Sequence, residues 1–330
     1  MTASREDWAP TCQMEVLKIR AAALATVREF FDQRDYIEVE TPLLSADTVV
    51  DAHIDPMIVH GPSGGFLQTS PEAAMKRLLS AGMSSCYQIT KAFRAGETGQ
   101  LHNPEFTIVE WYGVGTTWND QISLTEQLVQ HVQNQLGERF PDSVTDVFAE
   151  PFRRVTYESS FERIGISGVL EMSVPVLQRE VFSRLPEFNR ETLPENRDDL
   201  LNMLLSDLVE PRLGMECGEF LTSYPLSQAA LAQRNQTDPR TACRFELYRQ
   251  GVELCNGYHE LVDADELERR ELHQNSQRAD ALPGAGRLNA AMAAGLPKCS
   301  GVALGFDRLM MCLLSAQSIE KVIPFPFNRA

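Results

Sequence analysis

The stretch CYQITKAFRAGETGQLHNPEFTIVEWYGV, residues 86–114, decides the fold class. Residues 86–94 and 105–114 are two β-rich runs separated by a polar, glycine-containing segment at 95–103, which predicts a long antiparallel hairpin. Arg94 ends the first strand and Phe106 lies on the return strand, so the hairpin can set a guanidinium on a phosphate and an aromatic face against a base. Taken alone, the same hairpin is equally a solvated one carrying ordinary surface charges.

Upstream, apolar residues at helical spacing predict a helix over 13–34, and alternation over 37–41 predicts a short strand before Pro42. Pro71 opens a helix that runs to 79, as suits proline in a first helical turn. Downstream, helices are expected at 124–136 and 198–209, with a Pro-interrupted insertion at about 137–196 that carries no readable motif. Strands follow at 220–224, 244–249 and 252–261, a charged helix at 264–279, and a glycine-bounded strand at 301–306 that feeds a helix at 307–315. Without regular βαβ alternation, the expected class is α+β: one domain over 1–330 built on an antiparallel sheet flanked by helices.

Composition narrows the function. The 330 residues are 43% hydrophobic, enough for a full core. The 30 Lys and Arg face 46 Asp and Glu, a net charge of −16, which disfavours tight tRNA binding. Seven scattered cysteines form no C-x-x-C pair, so neither a zinc site nor a disulfide framework is expected. Residues 1–10 carry no signal-peptide pattern and no apolar run is long enough for a membrane span, so a cytoplasmic location is expected.

Two further constellations carry chemistry. Glu246 and Glu253 fall on successive strands of a second hairpin, where they can share a divalent cation such as Mg²⁺ whose shell phosphates complete. With Asn256 and Glu260 they are costly among apolar strand residues unless a cation or amine balances them, although an outward-pointing, half-exposed arrangement is the plainer alternative. In Gly301-Val302-Ala303-Leu304-Gly305-Phe306-Asp307-Arg308, a glycine-relieved strand enters a helix whose first turn offers an Arg to a polyphosphate, a weak pattern by itself.

In this order the three stretches resemble the class II aminoacyl-tRNA synthetases. The helix with Ile37-Glu38-Val39-Glu40-Thr41-Pro42 resembles motif 1, the Arg94 hairpin motif 2, and Gly305-Phe306-Asp307-Arg308 motif 3. His102-Asn103-Pro104-Glu105-Phe106, Asn256-Gly257-Tyr258 with Glu260, and Thr69-Ser70-Pro71-Glu72 with Met75-Lys76-Arg77 are similar to the lysyl branch. An anticodon-binding domain is not expected, since motif 1 begins within the first few dozen residues. That shortened form resembles the ligases that attach (R)-β-lysine to a lysine of translation elongation factor P.

The resemblance implies ATP and Mg²⁺ as cofactors, with Arg94 on the α-phosphate and Arg308 on the γ-phosphate as the catalytic pair. Phe106 would stack on adenine; Ala95, Gly96, Glu97, His102, Asn103, Glu253, Leu254 and Gly305 would complete the ATP site, and Glu246 and Glu253 would hold the metal. Ser70, Pro71, Glu72, Glu110, Tyr112, Asn256, Tyr258, Glu260 and Ala303 would form the pocket for lysine or (R)-β-lysine. Two departures stand out: Ala95-Gly96 replaces the usual Asn-Glu, moving the acid that reads adenine to Glu97, and Ala303 replaces a glycine. The resemblance also implies a homodimer through motif 1. The competing expectations are transfer to tRNA or another amine, and a silent regulatory paralogue, which would have no chemical need for Arg94, Glu246, Glu253 and Arg308.

Overall fold

The computed structural model describes residues 8–62, 64–188 and 193–330. Its centre is an eight-stranded sheet in the order β1-β5-β6-β11-β10-β9-β8-β7. The strands are β1 (Ile37–Glu38), β5 (Cys86–Phe93), β6 (Glu105–Val114), β7 (Arg153–Thr156), β8 (Glu219–Thr222), β9 (Arg244–Arg249), β10 (Val252–His259) and β11 (Cys299–Gly305). The six inner strands are antiparallel, as expected from the hairpin pattern. Both edge strands instead pair parallel, β1 with β5 and β7 with β8. The reason is topological: each of these pairs is joined by a long crossover containing helices, and a crossover delivers a parallel strand.

One face of the sheet is the main core. Tyr87, Val109, Trp111, Val302, Leu304, Phe245 and Leu247 alternate onto it and meet Phe30 and Phe31 of α1 (Met14–Asp32), Leu128 and Val132 of α3 (Trp118–Arg139), and Leu309 and Leu313 of α9 (Phe306–Leu313). Helix α3 begins six residues before the apolar period would place it, because Thr117 and Asp120 form a reciprocal capping box.

The expected insertion is not a free appendage. It contributes edge strand β7, α4 (Tyr157–Glu162) and α5 (Val174–Arg184), which together with the following α6 (Arg197–Leu204), the helix expected at 198–209, build a second core against Leu221 and Tyr248 of the sheet. Residues 189–192 of that insertion, and residues 1–7, lie outside the described residues. After α6 the chain tightens through a π turn at Leu205–Val209 into a 3-10 turn, Glu210–Arg212, which aims Glu210 at the other face of the sheet.

That other face is roofed by elements the periodicity only partly revealed. A small sheet of β2 (Leu44–Ser45), β3 (Ile58–Val59) and β4 (Gly65–Leu67) leads into α2 (Glu72–Ser80). Helix α2 packs with α7 (Ala264–Ser276) and α8 (Gly286–Gly295) through Met75, Leu79, Leu267, Leu288 and Met292. Among the described residues no helix is long and apolar enough to cross a membrane.

Candidate active site

Sheet register assembles the site. Gln88, Glu110, Ala303, Asn256 and Glu246 lie side by side across β5, β6, β11, β10 and β9, and the next row on the same face is Cys86, Tyr112, Gly301, Tyr258 and Arg244. Glu253 and Asn256 are three apart, yet both face this side. The β10–β9 pairing is irregular between Glu253 and Cys255, so Glu253 stands opposite Tyr248 and Asn256 opposite Glu246. A cavity of about 1110 Å³ opens over these rows, lined among others by Ser70, Glu72, Arg94, Glu110, Tyr112, Glu246, Glu253, Asn256, Tyr258, Glu260 and Ala303.

At one end is an acidic cage. Lys76, only 1% exposed, sits between Glu72 (2.7 Å) and Glu260 (2.5 Å). The Tyr112 hydroxyl donates to Glu110 Oε1 at 2.7 Å, while Glu110 Oε2 and Asn256 Oδ1 are buried acceptors that receive no hydrogen bond. Burial, then the neighbouring charge of Glu72, pushes the Glu110 carboxyl up to about 8. Burial pushes Glu260 up to about 7, even against the Lys76 ammonium. Three carboxylates around one ammonium leave a surplus of negative charge and open acceptors, which an amine-bearing ligand would satisfy. Pro71 caps α2 and so starts the helix at Glu72, one turn before Lys76.

At the other end are the two arginines. The Arg94 guanidinium lies 5.0 Å from the Phe106 ring centre and 3.5 Å from Glu97, and its Nε has no partner. Glu97 is therefore held on Arg94. Arg308 bridges His102 Nε2 (2.7 Å) and Glu253, whose backbone oxygen and carboxylate lie at 3.0 and 3.3 Å. Burial, followed by the charge of Arg308, lowers the His102 pKa, so Nε2 serves as the acceptor of a neutral ring. Arg94 and Arg308 thus belong to one site, both acting electrostatically on His102 and Glu253.

The remaining expected ATP-site residues divide. Ala95 and Gly96 form the turn after Arg94, with Gly96 at φ +78°. Gly305 ends β11 beside Arg308; a methyl there would meet nothing nearer than 3.7 Å, so its bareness answers to no neighbour within the chain. Leu254 turns its side chain into the main core, leaving only its backbone toward the cavity side. Asn103 spends its amide on the backbone, donating to Glu105 O (2.6 Å) and accepting from Phe327 N–H (2.9 Å). It pins the C-terminal segment to the hairpin and is not brought into the cavity wall.

Of the two expected metal ligands, Glu246 is firmly held, accepting from the hydroxyls of Tyr224 (2.5 Å) and Tyr248 (2.6 Å) and from Arg244 (2.5 Å). Burial and the Glu246 charge together raise the pKa of Glu253, the signature of a carboxylate pair short of positive charge. Among the described residues no three His, Cys, Asp or Glu side chains form a ready metal site, and a cation at Glu246 and Glu253 would need phosphate oxygens to complete its shell. That donor set fits Mg²⁺, which is usually held by one or two carboxylates plus substrate phosphates.

The motifs left three cavity residues without a role. Lys76 carried a signal, since it falls on the stripe of Met75 and Leu79 that α2 buries. Arg244, stacked at 4.4 Å on Tyr224 and paired with Glu246, and Glu210, whose carboxyl lies 3.0 Å from the Tyr248 hydroxyl and is pushed by burial up to about 7, carried none that a local pattern could show.

The chain belongs to the class II tRNA synthetases of the D, K and N type, whose family model matches residues 7–329; of its four charged motif residues, Arg94, Glu246 and Glu253 line the cleft and Arg308 pairs with Glu253. Within that family it is similar to proteins named elongation factor P--(R)-beta-lysine ligase. The Vibrio cholerae protein is 39% identical over 339 residues, covering 99% of this chain and 100% of that one. The Vibrio vulnificus protein is 40% identical over 334 residues, covering 97% and 98%, and that of Salmonella gallinarum 40% over 335 residues, covering 98% of each.

Proposed function

We propose that the chain is an ATP-dependent ligase that activates (R)-β-lysine, or lysine, as its adenylate and transfers it to a lysine side chain of translation elongation factor P. The observation that carries this reading is the juxtaposition, along one cleft, of the Glu72–Lys76–Glu260 cage and the half-satisfied Glu110 with Arg94 and with Glu253, the cleft residue that Arg308 holds. The relatives' shared name supports the donor and the acceptor.

In this reading the two ammonium groups of the substrate enter the cage and pair with Glu72, Glu110 and Glu260, while Asn256 accepts from one of them. Its carboxylate then points along the sheet toward Arg94 and attacks the α-phosphorus; pyrophosphate leaves on the Arg308 side. Arg94 gathers the charge that develops at phosphorus, and Phe106 and Gly305 give the adenosine a face and room. Positioning and electrostatics suffice for this step. Mg²⁺ held by Glu253 and Glu246 would neutralise the leaving pyrophosphate. We read the chain, 1–330, as one catalytic unit with an insertion at about 137–196, working as a homodimer. The excess of Asp and Glu supports a protein acceptor over tRNA.

Mass spectrometry of elongation factor P incubated with the chain, ATP, Mg²⁺ and each lysine isomer tests the proposal. A 128 Da increment on one lysine is expected from the formula of a lysyl residue, roughly the mass of one added amino acid. An unmodified factor alongside charged tRNA would overturn the acceptor, and absence of pyrophosphate exchange with any lysine isomer would overturn the activation step.

A further inference from the structure

Neither motif nor cage accounts for a tether on the roof of the cleft. Arg278 lies just beyond the end of α7, and its side chain is only 9% exposed. It reaches across to the loop between β2 and β3, donating to the backbone oxygens of Asp51 (2.6 Å) and Ile54 (3.4 Å) and to the Asp55 carboxylate. Gln274 of α7 holds the same loop by accepting from Ala52 N–H at 2.9 Å. Val49, Val50, Asp51, His53 and Ile54 of this loop line the cleft. Asp55 faces both ways: its carboxylate is taken by Arg278, and its backbone oxygen accepts from Ala95 N–H at 2.8 Å. Ala95 directly follows Arg94.

We infer that Arg278 is a positioning residue that acts through Asp55 and Ala95 to fix the backbone from which Arg94 reaches the nucleotide, while holding the Asp51–Ile54 roof over the amine cage. This rests on the reading of Arg94 as a phosphate ligand. A guanidinium is the group for the task, since its fork serves a carboxylate and two carbonyls at once, which an ammonium does with poorer geometry. The mostly exposed Asp55 carboxylate is ordered by this one buried cation. Without it, the Asp55 carbonyl loses its fixed direction, and the start of the Arg94 turn is left to the Phe93 N–H bond to Gln68 O and the Arg94 N–H bond to Pro104 O, each 2.9 Å, neither of which holds Ala95.

The test is steady-state pyrophosphate exchange with the full chain, Mg-ATP and lysine or (R)-β-lysine, combined with amide hydrogen exchange of the segments around 50–56 and 94–99. Arg278→Ala and Asp55→Ala are each expected to raise the KM for ATP roughly tenfold, with kcat changed less than about threefold, and to speed exchange at 94–99 as well as at 50–56. Arg278→Lys should recover part of the loss. Arg287→Ala frees the other end of the loop, where Arg287 pairs with Asp47 at 3.1 Å, and has no path to Ala95, so its KM for ATP should match that of the parent. A KM for ATP within about twofold of the parent in Asp55→Ala, with faster exchange confined to 50–56, would show a purely structural strap and overturn the inference. Asp55→Ala decides the matter even where Arg278→Ala fails to fold. A parent protein silent in exchange with every lysine isomer sinks the functional reading instead, and the inference with it.

Discussion

Ala303 occupies the middle of the transverse row, with Glu110 on one side and Asn256 on the other, so its methyl projects between the two open acceptors of the cage. Removing it changes the depth at which an ammonium meets Glu110 by about one methyl group, worth on the order of 1 kcal/mol between two isomers whose amines differ in position. Ala303→Gly is therefore expected to shift the ratio of kcat/KM for (R)-β-lysine and lysine about fivefold toward lysine; an unchanged ratio would remove Ala303 from specificity. The carboxylates of the cage also set a pH dependence. Glu110 and Glu260 bind protons up to about 8 and about 7 in the folded chain, against 4.5 when unfolded. Between these limits the native state holds the extra protons, so the cage's contribution to stability falls as pH rises through 4.5 to 8 and levels off above it. A cationic substrate favours the ionised carboxylates, and its stabilising effect should grow over the same window. In melting experiments from pH 5 to pH 8, Glu110→Gln is expected to show a shallower decline than the parent and a smaller lysine-induced rise; parallel curves would contradict the assignment, whose sign follows from proton linkage.

Strand β11 contains two glycines with opposite duties. A methyl at Gly301 would lie 2.3 Å from the Tyr112 ring and 2.6 Å from the Glu260 carboxylate, so Gly301 exists to let those cage residues lie flat on the strand. At Gly305 the protein itself leaves room. Gly305→Ala is expected to keep the parent's melting temperature, within about 0.5 kcal/mol of stability, while raising the KM for ATP roughly tenfold. Gly301→Ala should lose stability and activity together, and equal thermal behaviour in the two variants would refute the distinction. How much of this was legible follows element by element. The ends of β6 and the start of β5 match the sequence reading because both runs are rich in β-branched and aromatic residues, with Trp111 and Val109 turned to the core and Glu110 and Tyr112 to the cleft. Strands β2 and β3 are two residues each and have no period to detect, and α8 is rich in Ala and Gly, with only Leu288 and Met292 buried. Glu253 shares a face with Asn256 through a pairing irregularity that no alternation rule foretells. The roles of Glu72 and Glu110 came from resemblance; Glu210 and Arg278 stayed hidden because their partners are 38 and more than 200 residues away.

Viewed as a whole molecule, the chain packs its main core, a second core and the α2–α7–α8 cluster, and leaves an apolar edge exposed to solvent. Several exposed large apolar side chains sit on the short strands that follow α1: Ile37 on edge strand β1, Leu43 and Leu44 at β2, and Ile58 on β3. Strand β1 is only two residues long, with both side chains exposed and one edge hydrogen-bonded to β5. An apolar, short-stranded edge of this kind is a liability in a lone chain and an asset where a second copy covers it. The loop that leads from β2 into the roof of the cleft starts at this surface, so a dimer would also steady the Asp51–Asp55 segment. In a twofold dimer each side chain counts twice. Replacing Ile37 and Leu44 by Asp removes four buried side chains, at about 1.5 kcal/mol or more apiece, which weakens association by about 6 kcal/mol, some ten-thousandfold in Kd. Sedimentation velocity at micromolar concentration should therefore show a dimer for the parent and a monomer for the Ile37→Asp/Leu44→Asp variant, with the variant's melting temperature becoming independent of protein concentration. A parent that sediments as a monomer, or a double variant that remains dimeric, would place the self-association surface elsewhere or abolish it.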